Sequence, residues 1–306
     1  MAIKQVRVKV NGAWTTATLQ GDGSYKATLS APNITSYNVN SGHYYPVTVE
    51  AMNMAETATT VDDTHATLGS SLRLRVKEIT APTITMTAPT ANQYLDTANP
   101  SIEFTVVDEA NGSGVAISTL KIKVDSSEYT NTSSGVTVSS ITNGYSVVFV
   151  PATALSDGQH TVSISVSDND GNSAATVSRT FTTDTVAPTL SVTSPAADGT
   201  YTSESAFTVA GTTSDSTSGV PTVAIKLNGS DVGSVTVTDG AFSKGVTLVS
   251  GINTIVVTAT DKAGKTTTIT RRITLDTSAP VIASVTITPN PVNVGASYTV
   301  TISVTG

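Results

Sequence analysis

The residues best suited to chemistry are carboxylates set beside glycines and polar turns. Asp168 and Asp170 lie in Ser167-Asp168-Asn169-Asp170-Gly171-Asn172, Asp184 opens Asp184-Thr185-Val186, and Asp108-Glu109 follow the run Ile102–Val107. Carboxylate oxygens are hard donors, and several gathered at one place make a calcium site. Asp108, Asp168, Asp170 and Asp184 are expected to meet at one end of a module if its last strand runs back along the fold. Asp215, Asp261 and Asp276 are the counterparts further on, where Lys262 and Lys265 weaken the site. The competing reading is local: Asp and Asn beside Gly bond their own backbone in turns. The spacing also lacks the Glu that closes an EF-hand loop.

Other chemistry has less to work with. His43, His65 and His160 are far apart and none forms a metal-ligand pair. There is no Gly-x-Ser-x-Gly elbow, no phosphate loop with its Lys, and no Cys to act as nucleophile or thiolate ligand. Paired carboxylates for sugar hydrolysis need a cleft, which narrow sheets rarely supply. The chain is therefore expected not to be an enzyme and to require no cofactor, with structural Ca²⁺ at its joints the one ion its residues suit. Tyr37, Tyr44 and Tyr45 are the candidates for surface binding, since aromatic side chains give contact area at little ordering entropy. In the run Tyr44-Tyr45-Pro46 an extended backbone sends the two rings to opposite faces, one to the core and one to solvent. Trp14 is expected in the core of the first module.

The elements that must carry these residues are strands. Val6, Val8 and Val10 alternate with Gln5, Arg7 and Lys9, and Leu72, Leu74 and Val76 with Arg73 and Arg75. Ile102, Phe104 and Val106, then Leu120, Ile122 and Val124, then Val162, Ile164 and Val166, then Ile255, Val257 and Ala259 repeat the pattern. A period of two with polar residues between means one buried and one wet face, the logic of antiparallel sheet. With 56 Thr and 37 Ser in 306 residues, the wet faces are largely hydroxyl-bearing, and Thr favours extended backbone. Leu19–Tyr25, Ser156-Asp157-Gly158 and Asn228-Gly229 supply turns. Only Pro151–Leu155 offers a helical turn.

Three copies of one phrase divide the chain. Ala81-Pro82-Thr83-Ile84 and Ala187-Pro188-Thr189-Leu190 align without a gap, and Ala279-Pro280-Val281-Ile282 follows; the prolines are 106 and 92 residues apart. That spacing suits a sandwich of about 100 residues. The expected organisation is an N-terminal β-sandwich over 1–79, further sandwiches over 80–186 and 187–278, and an incomplete segment over 279–306. That last segment is either part of a further domain or a tail that exchanges strands with a partner.

Charge narrows the partners. The formal net charge is −7, and the sixteen basic residues are scattered, so no basic face collects phosphates and nucleic acid is not expected. No apolar run reaches membrane-spanning length, so no membrane insertion is expected. The opening residues alternate like a strand and carry no apolar signal core.

At the repeated phrases the sequence resembles bacterial immunoglobulin-like domains, found in tandem in surface adhesins and in virion proteins of tailed phages. The resemblance rests on Ala187-Pro188-Thr189-Leu190 with Thr193-Ser194-Pro195, on Ser113-Gly114-Val115 and Ser218-Gly219-Val220, on Leu155–Val162, and on Asp168–Asn172 followed by Thr180–Asp184. It covers residues 80–306. Residues 1–79 depart from it, lacking the Ala-Pro phrase and holding a third of the aromatic residues. The resemblance implies an all-β rod of tandem immunoglobulin-like antiparallel β-sandwiches. It implies a structural protein of a phage virion or tail surface, with virion or tail proteins as partners and weak, multivalent contact to host-surface glycans. The alternatives are a calcium-stiffened stalk of a secreted or cell-surface bacterial adhesin, since related adhesin modules bind Ca²⁺ at their joints, and an accessory spacer of a carbohydrate-active enzyme.

Overall fold

The computed structural model describes residues 2–219 and 222–306; Val220 of the Ser218-Gly219-Val220 phrase lies outside the described residues. The chain divides into two compact units, Met1–Thr183 and Asp184–Gly306. Every regular element of length is a strand; the helical ones among the described residues are single 3₁₀ turns at Ser36–Asn38 and Gly69–Leu72. Pro151–Leu155 forms no helical turn. No helix among the described residues is long and apolar enough to cross a membrane.

The first unit begins with β1 (Ile3–Val10), β2 (Ala13–Thr16), β3 (Thr18–Leu19), β4 (Tyr25–Lys26), β5 (Tyr45–Asn53), β6 (Ala58–Val61) and β7 (Arg73–Leu74). These make one five-stranded sheet, ordered β2-β1-β5-β6 with β7 also on β5, and a separate hairpin β3-β4. The expected second layer is missing. Val8, Val10 and Val47 are covered instead by Leu29, Ser30, Ala31 and Leu74, which leave a cavity of about 290 Å³. Ala17 and Tyr45 are the buried apolar residues here, against sixteen in the core of the following sandwich. The alternation correctly marks a one-sided sheet, but it does not say that a loop at 29–31 and the short β7 line that face in place of a second sheet.

The first sandwich follows with β8 (Thr83–Ala88), β9 (Gln93–Leu95), β10 (Ile102–Val107), β11 (Val115–Val124), β12 (Ser127–Tyr129), β13 (Val136–Ile141), β14 (Gly144–Phe149), β15 (Gly158–Asp168) and β16 (Val177–Thr183). Its sheets are β13-β14-β10-β8 and β12-β11-β15-β16-β9. Ile102, Phe104 and Val106 from one sheet and Ile122, Ile164 and Phe181 from the other are essentially fully buried. Two one-sided sheets thus pack face to face around one core.

The second unit repeats the plan with β17 (Thr189–Ser194), β18 (Thr200–Thr202), β19 (Ala206–Ser214), β20 (Thr222–Leu227), β21 (Ser230–Asp231), β22 (Val237–Thr238), β23 (Ala241–Thr247), β24 (Gly251–Thr260) and β25 (Thr266–Leu275). The sheets are β17-β19-β23-β22 and β18-β25-β24-β20-β21. Asn228 and Gly229, both at positive φ, make the tight turn between β20 and β21 that the dipeptide forecasts. One departure from purely antiparallel pairing recurs. The first strand of each sandwich lies in one sheet, and the short strand after it crosses to the other, where β9 pairs parallel to β16 and β18 parallel to β25.

Residues 279–306 form a hairpin of β26 (Val281–Thr288) and β27 (Thr299–Thr305). Its register places Val285 opposite Ile302 and Ile287 opposite Val300, while Thr286 faces Thr301. One face is thus aliphatic and the other hydroxyl-bearing, as in β8 with β10, but here the aliphatic side chains remain exposed. A two-stranded ribbon alone is marginal in water.

Candidate metal centres

Two groups of carboxylates converge, one in each unit. In the first, one oxygen each from Glu78, Asp108 and Asp168 lie within 4.8 Å of one another. In the second, the same holds for Asp184, Asp215 and Asp261. The elements place them equivalently. Glu78 and Asp184 each stand four residues before the proline of the Ala-Pro phrase, in the segment that leads into a sandwich. Asp108 directly follows β10 and Asp215 follows β19, while Asp168 ends β15 and Asp261 follows β24. The turn after the last pair is also shared. The Gly171 amide donates to the Asp168 carbonyl and the Gly264 amide to the Asp261 carbonyl, at 3.3 Å in both cases.

In the first group Asp108 and Asp168 are 3% and 2% exposed. Asp108 Oδ2 accepts the Gly114 amide at 2.7 Å, Asp168 Oδ1 accepts the Asn172 amide at 2.8 Å, and Glu78 Oε1 accepts the Ser113 amide. Glu78 Oε2, Asp108 Oδ1 and Glu109 Oε2 are buried without a hydrogen-bond partner. Gly112 is the pivot: a β-carbon there would lie 2.6 Å from Asp108 Oδ2, 2.8 Å from Glu78 Oε2 and 3.0 Å from Glu109 Cδ. Burial raises the Glu78 carboxyl above its ordinary value, and the neighbouring Glu109 carboxyl adds to it. Burial likewise raises Asp108, against the Gly114 amide and reinforced by the Glu78 charge.

In the second group Asp184 is fully buried and Asp261 is 7% exposed. Asp184 Oδ1 accepts the Val186 amide at 3.2 Å and Asp261 Oδ1 the Lys265 amide at 2.9 Å, while Oδ2 of each is buried and unpartnered. Asp215 Oδ1 accepts the amides of Thr217 and Ser218 at 2.9 and 2.7 Å. Burial opposes ionisation of Asp215, but the Ser218 and Thr217 amides outweigh it and hold the carboxyl below its ordinary value.

A buried carboxylate oxygen with no donor is expensive unless a cation or proton meets it. Hard oxygen donors with free lone pairs are the ligand set that calcium takes. A pH effect follows for metal-free protein. Glu78 and Asp108 have raised values in the fold, so the folded state takes up protons more readily than the unfolded chain. Stability of the first unit is expected to rise as pH falls from neutral through those raised values, and to stop rising at the ordinary carboxylate range. Urea midpoints in chelator at pH 7 and pH 5 test this; a lower midpoint at pH 5 contradicts it.

The anticipated ligands divide between the two groups. Asp108 and Asp168 come together, but Asp184 belongs to the second group, because the segment before Pro188 folds onto the sandwich that follows it. Asp170 points elsewhere: it accepts the Thr35 hydroxyl and, at 3.1 Å, the Glu78 amide, and so fastens the N-terminal sheet's loops to the sandwich. Asp276 accepts the Ser278 amide at 3.0 Å and does not join Asp215 and Asp261. Glu78 is absent from the anticipated set, although its offset from Pro82 equals that of Asp184 from Pro188.

The tyrosines separate as well. Tyr45 is 5% exposed, with its hydroxyl donating to the Ile34 carbonyl at 3.0 Å, so it is a core residue and not a surface anchor. Tyr44 donates to Asp63 at 2.8 Å beneath the Arg73 guanidinium, and Tyr37 stacks on His43 at 4.1 Å. Trp14 lies outside any core, under Arg7 and Lys9 on the wet face of β2. His160 is buried with Nδ1 2.7 Å from Asp125 and Nε2 2.8 Å from the Ser156 carbonyl, a structural clasp between strands.

Residues 188–277 match the family model described as glucodextranase, domain B, which spans the second sandwich. No curated protein matches the chain. Fibronectin(III)-like modules of Clostridium thermocellum CbhA are similar at 16% identity and a TM-score of 0.39, over 63% of this chain and 94% of that one. The tetra-tandem repeat in the extending region of a large adhesion protein is similar at 21% identity and a TM-score of 0.33, over 99% and 80%. The sheets themselves establish an all-β chain carrying two tandem, largely antiparallel β-sandwiches.

Proposed function

We propose that the chain is a non-catalytic structural spacer whose sandwiches are held by divalent cations, calcium being the ion its ligands suit. One observation carries this reading. In both units, a carboxylate from the segment leading into a sandwich is gathered with two carboxylates of that sandwich, leaving buried oxygens without partners. Calcium at each group neutralises the repulsion and ties the incoming segment to the module it precedes. The match of residues 188–277 to a domain described from a glucodextranase supports carriage beside carbohydrate-active domains. A place on a virion or tail-like particle is the second reading, supported by the resemblance of the repeated phrases.

Calorimetry of the 306-residue protein in calcium and in chelator tests the proposal. Ligand bound only by the folded state stabilises it by about 2.7 kcal/mol at a hundred times its Kd. Midpoints are expected to rise with calcium, and Asp108→Asn together with Asp261→Asn is expected to remove the rise. Unfolding that is indifferent to calcium up to millimolar concentrations rejects the spacer's cation clamp.

A further inference from the structure

The two carboxylate groups share one plan but differ in charge at two corresponding positions. Glu109 follows Asp108 in the first group and brings a fourth carboxylate with a buried, unpartnered oxygen. The residue after Asp215 in the second is Ser216. Across the group, Asn169 follows Asp168, and its amide donates to the carbonyls of Ser113 and Gly114 at 2.9 Å. The turn after Asp261 carries Lys262 at that position.

The ammonium occupies the place of the amide. A β-carbon built on Gly114 would lie 3.6 Å from Asn169 Nδ2, and one built on Gly219 would lie 3.1 Å from Lys262 Nζ. Gly114 and Gly219 are themselves equivalent, each following a buried serine and each at positive φ, 83° and 90°. Beside the three converging carboxylates of the first group stands a fourth, Glu109, while beside the second group's three the ammonium of Lys262 lies against Gly219.

Resting on the reading of both groups as calcium sites, we infer that the sites load in sequence: Glu78, Asp108 and Asp168, with Glu109 beside them, first, then Asp184, Asp215 and Asp261 at higher calcium. Ligand charge count is a main control on calcium affinity in oxygen sites. Like-signed charge beside a site opposes a divalent ion, and added negative charge favours it. Buried oxygens without hydrogen-bond partners, on Asp108 in one group and on Asp184 and Asp261 in the other, mark both as places that require a cation. The difference of two charges separates the two affinities by at least about tenfold. At intermediate calcium, the segment before Pro82 is fixed while the segment before Pro188 is not.

Isothermal titration of the full chain with calcium chloride, from chelated protein, tests the order. Two resolved steps of one ion each are expected. Asp108→Asn should remove the tighter step and Asp261→Asn the weaker one. Lys262→Asn, at an exposed turn position, should tighten the weaker step by about tenfold, and Glu109→Gln should weaken the tighter one. Circular dichroism of each variant confirms that it is folded. Two ions binding in one step, the opposite assignment of the steps, or a Lys262→Asn titration that overlays the wild type overturns the order while leaving calcium binding intact. No heat or stabilisation in wild type or in Lys262→Asn removes the underlying reading instead.

Discussion

Phe104→Ala is expected to destabilise the first sandwich by about 3–5 kcal/mol, among the largest losses that a single truncation should give here. Phe104 is 1% exposed, in the middle of β10, with Val147 of β14 on one side and Met86 of β8 on the other. Both sheets press on this ring, so its removal leaves a void that strands held in two ladders cannot close. Domains of this size have marginal stability, and such a loss is a large share of it. Urea unfolding in chelator reads the result. A loss below about 1 kcal/mol means the core repacks and the two-sheet account of it fails.

Gly211→Ala should be the most damaging small change in the second unit. Gly211 sits in β19 opposite Val192 of β17 and Phe242 of β23. A β-carbon there would lie 2.1 Å from the Ser191 carbonyl oxygen and 2.5 Å from the Phe242 ring. The carbonyl belongs to a paired strand and cannot swing aside, so relief requires moving β17 or the ring. Overpacking of this kind costs about 1–3 kcal/mol, and more where backbone must shift. Gly245→Ala is the matched control. It lies on β23 opposite Thr208, three rungs along the same β19–β23 ladder, and a β-carbon there meets nothing within 4 Å. Thermal unfolding of the two variants should differ by several degrees. Equal midpoints would show that β17 gives way easily.

The strands were legible because their signal is local. Phe104 and Val106, or Val162 and Ile164, alternate with hydroxyl-bearing residues, and a two-residue period settles which side is buried whatever the partner strand. The repeated Ala-Pro phrase located the sandwiches for the same reason. What the period cannot carry is the identity of the cover, so the sheet of β1 and β5 was expected to have a second sheet where a loop and the short β7 lie. Asp170 and Asp168 are two residues apart in one turn, yet one faces the carboxylate group and the other the Thr35 hydroxyl. Composition near Gly marks a turn, but side-chain direction within it depends on contacts from distant residues. Asp184 shows the same limit. Its membership of the second group follows from where the chain goes next, and Glu78 could have been found by carrying the offset from Pro188 back to Pro82. Tyr45 opens β5 with its ring inward, while Tyr44 lies in the bend before the strand and turns to Asp63 and Arg73, a placement set by the fold and not by strand alternation.

The crossing of the short strands β9 and β18 has a mechanical meaning. Each runs parallel to the last strand of its own sandwich, through Phe181 opposite Gln93 in one and Ile273 opposite Thr200 in the other. Tension drawn on the two ends of such a module pulls these neighbours past one another. The three paired positions are then sheared together, where an antiparallel end pair would peel apart rung by rung. Each sandwich thus resists stretching at the place where the load enters and leaves it.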